Sequence, residues 1–303
     1  VQTPVTFLVF NRPELTAQVF ARIRAARPAK LLVVCDGPRA HRPDDAEKVA
    51  AVRRVIDEGV DWPCEVLRDF APQNLGCRQR IASGLTWAFE QVAESIILED
   101  DCLPDPSFFP FAEAMLARFR DDPRVLHVSG NNLTAPHRRH AASYWFSRHP
   151  WIWGWATWRR AWAQYDADMR TWDARRAALD ASFASARERA FWTAAFEDAR
   201  RDLTKAGTWD FPWVYTCRSL GGVSVFPREN LIENLGFGGD STHTAPDMLR
   251  LRLPTRALGS LTHPASMTVD RYGDDLLTRI YAGDEVSPLA NLAARLRLWR
   301  DRR

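Results

Sequence analysis

With 303 residues, 46% hydrophobic and 26% charged, the chain can build one large domain or two small ones and has the make-up of an ordinary globular protein. A net charge of only +3 argues against a nucleic-acid binder, which needs a clustered basic face. Five scattered cysteines (Cys35, Cys64, Cys77, Cys102 and Cys217) show neither a C-x-x-C pair nor zinc spacing, and point to a reducing compartment.

The first half alternates strand and helix. Val5 to Phe10 is a predicted strand, ended by Asn11-Arg12-Pro13, and Glu14 to Ala26 a helix with Leu15, Val19, Phe20 and Ile23 on one face. Leu31 to Cys35 is a second buried strand, closed by Asp36-Gly37-Pro38; Asp44 to Glu58 is helical; Cys64 to Arg68 is a third strand. The turn Gln73-Asn74-Leu75-Gly76 leads into a helix over Arg78 to Val92. This order predicts an α/β fold, an open and mostly parallel sheet with helices on both faces, which binds ligands outside the carboxyl ends of its strands. Asn11-Arg12 and Asp36 stand at such ends. Asp36 would hydrogen-bond a base or ribose, and Arg12 or Arg78 would face phosphate.

The next strand carries the strongest signal. Ser95-Ile96-Ile97-Leu98 runs straight into Glu99-Asp100-Asp101 before Cys102-Leu103-Pro104. Three carboxylates at the end of a buried strand repel one another and lose hydration unless a positive charge sits with them. An all-oxygen set of this kind suits Mg²⁺ or Mn²⁺ shared with substrate phosphates. The competing reading is a solvated acidic turn.

Ser107 to Arg120 is an amphipathic helix, Val125 to Ser129 a strand, and Thr134 to Ser143 a polar, basic, mobile surface loop whose histidines lack ligand spacing. Of 13 Trp, six crowd between 145 and 162, within Tyr144-Trp145-Phe146-Ser147 and Trp151-Ile152-Trp153-Gly154-Trp155-Ala156-Thr157-Trp158. Aromatic faces stack on sugars and bases, and Gly154 would admit a ligand close to the backbone, so this stretch is expected to wall the site. The alternative is that these rings pack on the sheet. Residues 161–206 form an Arg/Ala-rich helical insert. In Thr208-Trp209-Asp210-Phe211, an Asp among aromatics is expected to have a raised pKa suited to a general base, or to cap the helix that follows.

Gly221 to Pro227 reads as a turn and a strand, Glu233 to Thr244 as a polar loop rich in glycine that includes His243, and Leu249 to Ile280 as irregular with short strands. Pro288 to Arg303 is a basic amphipathic helix that would dock on the domain or lie on an anionic membrane surface. The economical division is one catalytic domain over 1–260, carrying the insert, and a C-terminal extension over 261–303. No stretch approaches a transmembrane length and Val1-Gln2-Thr3-Pro4 is no signal peptide, so the expected location is cytoplasmic, at the inner face of the membrane if a partner or lipid holds the chain there.

The order of these motifs over residues 5–244 resembles a nucleotide-sugar glycosyltransferase of the GT-A fold. Asn74-Leu75-Gly76 is similar to the family's Asn-x-Gly turn, and Glu99-Asp100-Asp101 to its DXD motif, in a form closest to the N-acetylglucosaminyltransferases of complex N-glycans. The chain is also similar to bacterial nucleotide-diphospho-sugar transferases sometimes labelled haemolysin-like. The resemblance implies Asp101 and His243 as ligands to Mn²⁺ or Mg²⁺. It implies Asn11, Arg12, Asp36, Arg78, Glu99, Asp100 and Gly154 on the donor, a UDP-sugar for preference. Asp210 becomes the base of an inverting transfer, although Thr208-Trp209-Asp210 lacks the family's Glu before the Asp. Trp153, Trp155 and Trp209 would meet a glycan or lipid-linked acceptor, in bacterial polysaccharide or glycan synthesis. Two other classes compete: a sugar nucleotidyltransferase, which wants a glycine-rich phosphate loop where Asn11-Arg12-Pro13-Glu14 stands, and a non-catalytic carbohydrate-binding protein built on Trp stacking.

Overall fold

Alternation along the first strands decides the layering. In β1 (Val5–Val9), Val5, Phe7 and Val9 pack on one side of the sheet and Leu8 on the other. β2 (Lys30–Cys35) and β4 (Glu94–Glu99) divide in the same way: Val33 and Leu98 join the first core, Val34 and Ile97 the second. The first core is filled by Val19, Phe20 and Ile23 of α1 (Pro13–Ala26), by Val49, Val52 and Ile56 of α2 (Asp45–Gly59), and by the phenylalanines of α4 (Phe108–Phe119). The second takes Ile81, Leu85 and Phe89 of α3 (Gly76–Gln91). Strands buried on both faces carry continuous apolar runs because a parallel sheet hides both its sides.

The computed structural model describes residues 1–201, 207–237, 246–284 and 286. Among them the remaining strands and α-helices are β3 (Glu65–Phe70), β5 (Cys102–Pro104), β6 (Val125–Ser129), β7 (Tyr144–Ser147), β8 (Trp155–Trp158), α5 (Arg159–Trp162), α6 (Trp172–Ser182), α7 (Ala186–Arg201), α8 (Asp210–Ser219), β9 (Val223–Pro227), β10 (Ile232–Asn234) and α9 (Arg271–Tyr281). Eight strands form one sheet in the order β3-β2-β1-β4-β8-β6-β9-β7. The pairs β3·β2, β2·β1, β1·β4 and β6·β9 are parallel, and the other three are antiparallel. The fold is thus α/β with a mostly parallel sheet between helices, as the sequence predicts. β5 and β10 make a separate antiparallel pair.

Register places the candidate residues. Leu8 lies opposite Glu99 and Val9 opposite Cys35, so Asn11-Arg12, Asp36 and Glu99-Asp100-Asp101 leave the sheet along one edge. α6 and α7 fall in the expected insert, whereas α5 straddles its start and packs Ala161 and Trp162 into the second core. Met169, Trp172, Leu179, Phe183, Trp192 and Phe196 form the insert's own core with Val214 and Tyr215 of α8. Beneath it, Arg218 of α8 donates to Glu188 of α7 at 2.6 Å, and His149 Nε2 lies 2.9 Å from the same carboxylate oxygen.

Two expectations need correction. The stretch 271–281 is a helix, not irregular structure with strands: Asp270 caps it by accepting from the Gly273 N–H at 3.2 Å, and Leu276 and Leu277 are buried. Its sequence hides this because Gly273, Asp274 and Asp275 break the apolar pattern. Both acids meet distant hydroxyls, Asp274 accepting from Ser147 and Asp275 from Ser185, each at 2.6 Å. The loop 134–143 is tied down rather than mobile, with Arg138 donating to Asp270 at 2.9 Å and His140 stacked on Trp145 at 4.9 Å. His243 and the expected helix over 288–303 lie outside the described residues. Among the described residues no helix is long and apolar enough to cross a membrane.

Candidate active site

A cavity of about 480 Å³ opens at the sheet edge where β1, β2 and β4 end. One side is acidic: Asp36, Glu99, Asp100 and Asp101 line it from the strand ends, and Asp210 faces them from the first turn of α8. The other side is aromatic, with Trp151, Trp153, Trp192, Trp209, Phe211 and Tyr281. Asn11, Arg12, Arg39 and Asn74 complete the strand-end rim.

The acidic floor sits under strong mutual repulsion. Burial, then Asp101 and Asp100, push the Glu99 carboxyl well above the usual carboxylate range. Burial also lifts Asp100 to about 6, against the pull of Arg12. The Arg12 guanidinium pairs with Asp100 and lies 3.0 Å from Asp101 Oδ2, so the positive charge that the sequence demands at this strand end is in place. Asp100 Oδ2 is nonetheless buried without a hydrogen-bond partner. Leu235 N–H donates to the Asp101 carbonyl at 2.8 Å, which brings Asn234 of β10 to the floor.

Asp210 is held up at about 6 by burial, and the Phe211 N–H at 2.9 Å offsets part of the effect. This is the environment expected for a general base among aromatics. Its neighbour Trp209 stacks on Trp155 at 5.7 Å and lines the cavity. Trp153 is half-buried and packs edge-on against Trp151 and Phe237.

Four expected ligand contacts take other roles. Trp155 is fully buried, stacked on His127 at 5.0 Å and on Trp209, and does not reach the cavity: β8 turns it to the sheet's interior. Gly154 has φ +59°, and a Cβ there would collide with Ile232; the position exists for the close passage of β10. Its carbonyl accepts from the Gly130 N–H at 2.8 Å. Arg78 turns outward to the insert, donating to Asp168 at 2.7 Å and to the Ala167 carbonyl at 3.0 Å. Asp36 lines the cavity, but its carboxylate is consumed by the turn that follows β3. Oδ1 accepts from the N–H groups of Gly37 and Leu75, and Oδ2 from Asn74 Nδ2 and the Gly76 N–H, all within 2.8–3.1 Å. Asn11 Nδ2 donates to Asp45 at 2.7 Å, and Arg39 holds the same acid at 2.6 Å.

Sequence reasoning misses Cys77 and Tyr281. Cys77 feels Glu99, Asp210, Asp101 and Asp36, and burial with these charges keeps its thiol protonated. Tyr281, the last residue of α9, stacks on Trp192 at 5.8 Å, and burial with Asp210 pushes its hydroxyl up to about 12. No local pattern marks either residue.

The floor fits a hard divalent cation in donor type: every available donor is an oxygen, and one buried oxygen lacks a partner. Among the described residues no three metal-ligating side chains come together, so Asp101 and Asp100 would supply only part of a shell. That is the usual condition of Mg²⁺ shared with substrate phosphates.

No family model matches the chain, and no curated protein does. Among solved structures, LgtC in an active-site mutant form is similar over 94% of this chain and 98% of that one, with 10% identity and a TM-score of 0.42. UDP-glucose pyrophosphorylase complexed with UDP-glucose is similar over 50% of this chain and 64% of that one, with 8% identity and a TM-score of 0.28.

Proposed function

We propose that the chain is a metal-dependent, inverting glycosyltransferase of the GT-A type. It would move a sugar from a nucleotide-diphospho-sugar, UDP-linked for preference, to a hydroxyl of a glycan or lipid-linked acceptor in bacterial glycan or polysaccharide synthesis. The observation that carries this reading is the opposition, across one cavity, of an acidic strand-end floor and an Asp set in an aromatic wall. The first suits a cation and a diphosphate, the second an activated acceptor.

A bound Mg²⁺ or Mn²⁺ would offset the charge developing on the leaving nucleoside diphosphate. Asp101, with Asp100, would hold that cation, and Glu99 would orient its waters. Asn11 and Arg12, at the end of β1, line the cavity and would meet the donor there. With Oδ1 of Asp210 taken by the Phe211 N–H, Oδ2 is the oxygen that accepts the acceptor's proton as the hydroxyl attacks the anomeric carbon from the far face. Trp153, half-buried on the cavity wall, offers a flat surface on which the acceptor ring would stack, while Trp209, 2% exposed and stacked on Trp155, supports the wall from behind.

Thermal-shift measurements with UDP and GDP, in Mn²⁺ or in EDTA, test the donor half. A ligand that binds the folded state raises Tm by mass action. The expected result is stabilisation by one nucleotide in Mn²⁺ and not in EDTA, lost in Asp101→Ala. No shift with any nucleotide in either condition would sink the reading. The anomeric configuration of the product, read by NMR, separates inversion from retention.

A further inference from the structure

The floor of the cavity holds more acid than base. Glu99, Asp100 and Asp101 follow one another, and Asp210 adds a fourth carboxylate within electrostatic reach of Glu99. Among the described residues the cation in contact with this run is Arg12, paired with Asp100 and 3.0 Å from Asp101 Oδ2. Asp100 is nearly closed off, its side chain 4% exposed, yet its Oδ2 has no partner. A buried carboxylate oxygen left in this state is costly, and it marks a ligand position beside the oxygen that Arg12 already covers.

Arg12 is built to move its side chain without moving its backbone. Its carbonyl accepts from both the N–H and the hydroxyl of Thr16, at 2.9 and 2.8 Å, which fixes it as the start of α1. Pro13 follows at the first helical position. The guanidinium stands at the end of a long side chain that is 24% exposed, on the cavity side.

We infer that Arg12 is the resident counter-ion of the acidic run in the unliganded chain, and that a divalent cation takes Asp101 only as Arg12 lets it go. The arginine and the cation compete for the same carboxylates. This rests on the floor being the cation site proposed above. It gives Arg12 two successive partners. Before loading it neutralises Asp100 and Asp101; after loading its guanidinium is free at the cavity mouth, where a diphosphate would accept its hydrogen bonds. Cation uptake by the bare protein is correspondingly weak, since a unit positive charge must leave before a double one enters.

Mn²⁺ titration of the full chain, with free Mn²⁺ read by electron paramagnetic resonance and no nucleotide present, tests the competition. Arg12→Gln keeps the backbone bonds to Thr16 and removes the charge. It is expected to lower the Kd for Mn²⁺ by about tenfold or more, given the size of charge–charge terms at this separation. Arg12→Lys keeps the charge, but its ammonium cannot span both carboxylates, and a smaller gain is expected; near-ultraviolet circular dichroism verifies that both variants are folded. If wild type binds Mn²⁺ and neither variant binds it more tightly, the competition is overturned while the cation site stands. If no form of the protein takes up Mn²⁺ at millimolar concentration, the cation site falls as well, and the inference with it.

Discussion

Trp155 and Trp209 stack with ring centroids 5.7 Å apart and planes 20° from parallel, and this contact joins the sheet to the helix that carries Asp210. Trp155 comes from a central strand and is fully buried; Trp209 immediately precedes Asp210. The base of the proposed reaction is therefore placed by packing in the sheet interior.

Trp155→Ala is expected to lose about 3–5 kcal/mol of stability in urea unfolding, the usual range for emptying a large core site. Turnover should fall in the surviving folded protein, because α8 loses its lateral support. Trp153→Ala, at a half-buried cavity position, should leave the unfolding midpoint nearly unchanged and raise the acceptor KM. Equal stability losses in the two variants would contradict the division between core and wall.

Asp210→Asn separates chemistry from stability. Turnover should drop about 10²–10⁴-fold if the carboxylate is the general base. The folded protein holds the Asp210 proton up to about 6, above its ordinary value. An acid that binds its proton more tightly in the folded state makes the fold less stable as pH rises through that interval. Neutral Asn should therefore stabilise the fold near neutral pH, by about 3 kcal/mol at most, and leave its stability unchanged near pH ~2, where both states are protonated. Wild-type activity should rise as pH passes about 6. A variant with full turnover would remove Asp210 from the mechanism.

The pair Arg218–Glu188 is fully buried beneath the insert. Burial works against the Glu188 charge, but Arg218 and His149 hold its carboxyl down at about 2. That contribution is complete above the ordinary Glu range and is lost as pH falls towards about 2. Arg218→Met alone should destabilise the protein by about 3–5 kcal/mol, because it strands a buried carboxylate. Adding Glu188→Met should restore a large part of the loss. Denaturant unfolding of the two single variants and the double closes the cycle; additive losses would show that the pair is uncoupled.

Gly154→Ala should cost about 2–4 kcal/mol, since the new methyl group meets Ile232 at a residue with φ +59°. Ile232→Ala relieves the collision, and the double variant should be less destabilised than the sum of its parts. Direct damage to donor binding, without loss of stability, would instead return Gly154 to the site.

The half of the molecule that builds the floor was legible because its signals are local. An apolar run ending in Glu99-Asp100-Asp101 declares a buried strand and a charge problem together, and parallel pairing with β1 carries that problem to the edge where Arg12 stands. Asp210 was legible from its aromatic neighbours. The rest depends on contacts between distant segments. Trp153 and Trp155 sit two residues apart and look alike in sequence; β8 begins between them, so one lines the cavity and the other fills the core. Arg78 could have faced phosphate, but it meets Asp168, 90 residues later, in the insert. α9 was hidden because its acids are matched by Ser147 and Ser185, hydroxyls that nothing near residue 271 announces.

The segment leading into α9 also governs how the sheet ends. β7 is its last strand, and the backbone N–H of Asp270 donates to the Phe146 carbonyl at 2.9 Å while Val269 pairs with Phe146. At the opposite margin β3 carries Glu65, Arg68 and Asp69, charges that discourage a further strand from docking. One border is overlaid by the chain's own backbone and the other is guarded by charge. Both borders of the large sheet are thereby made less open to strand addition from a neighbouring molecule.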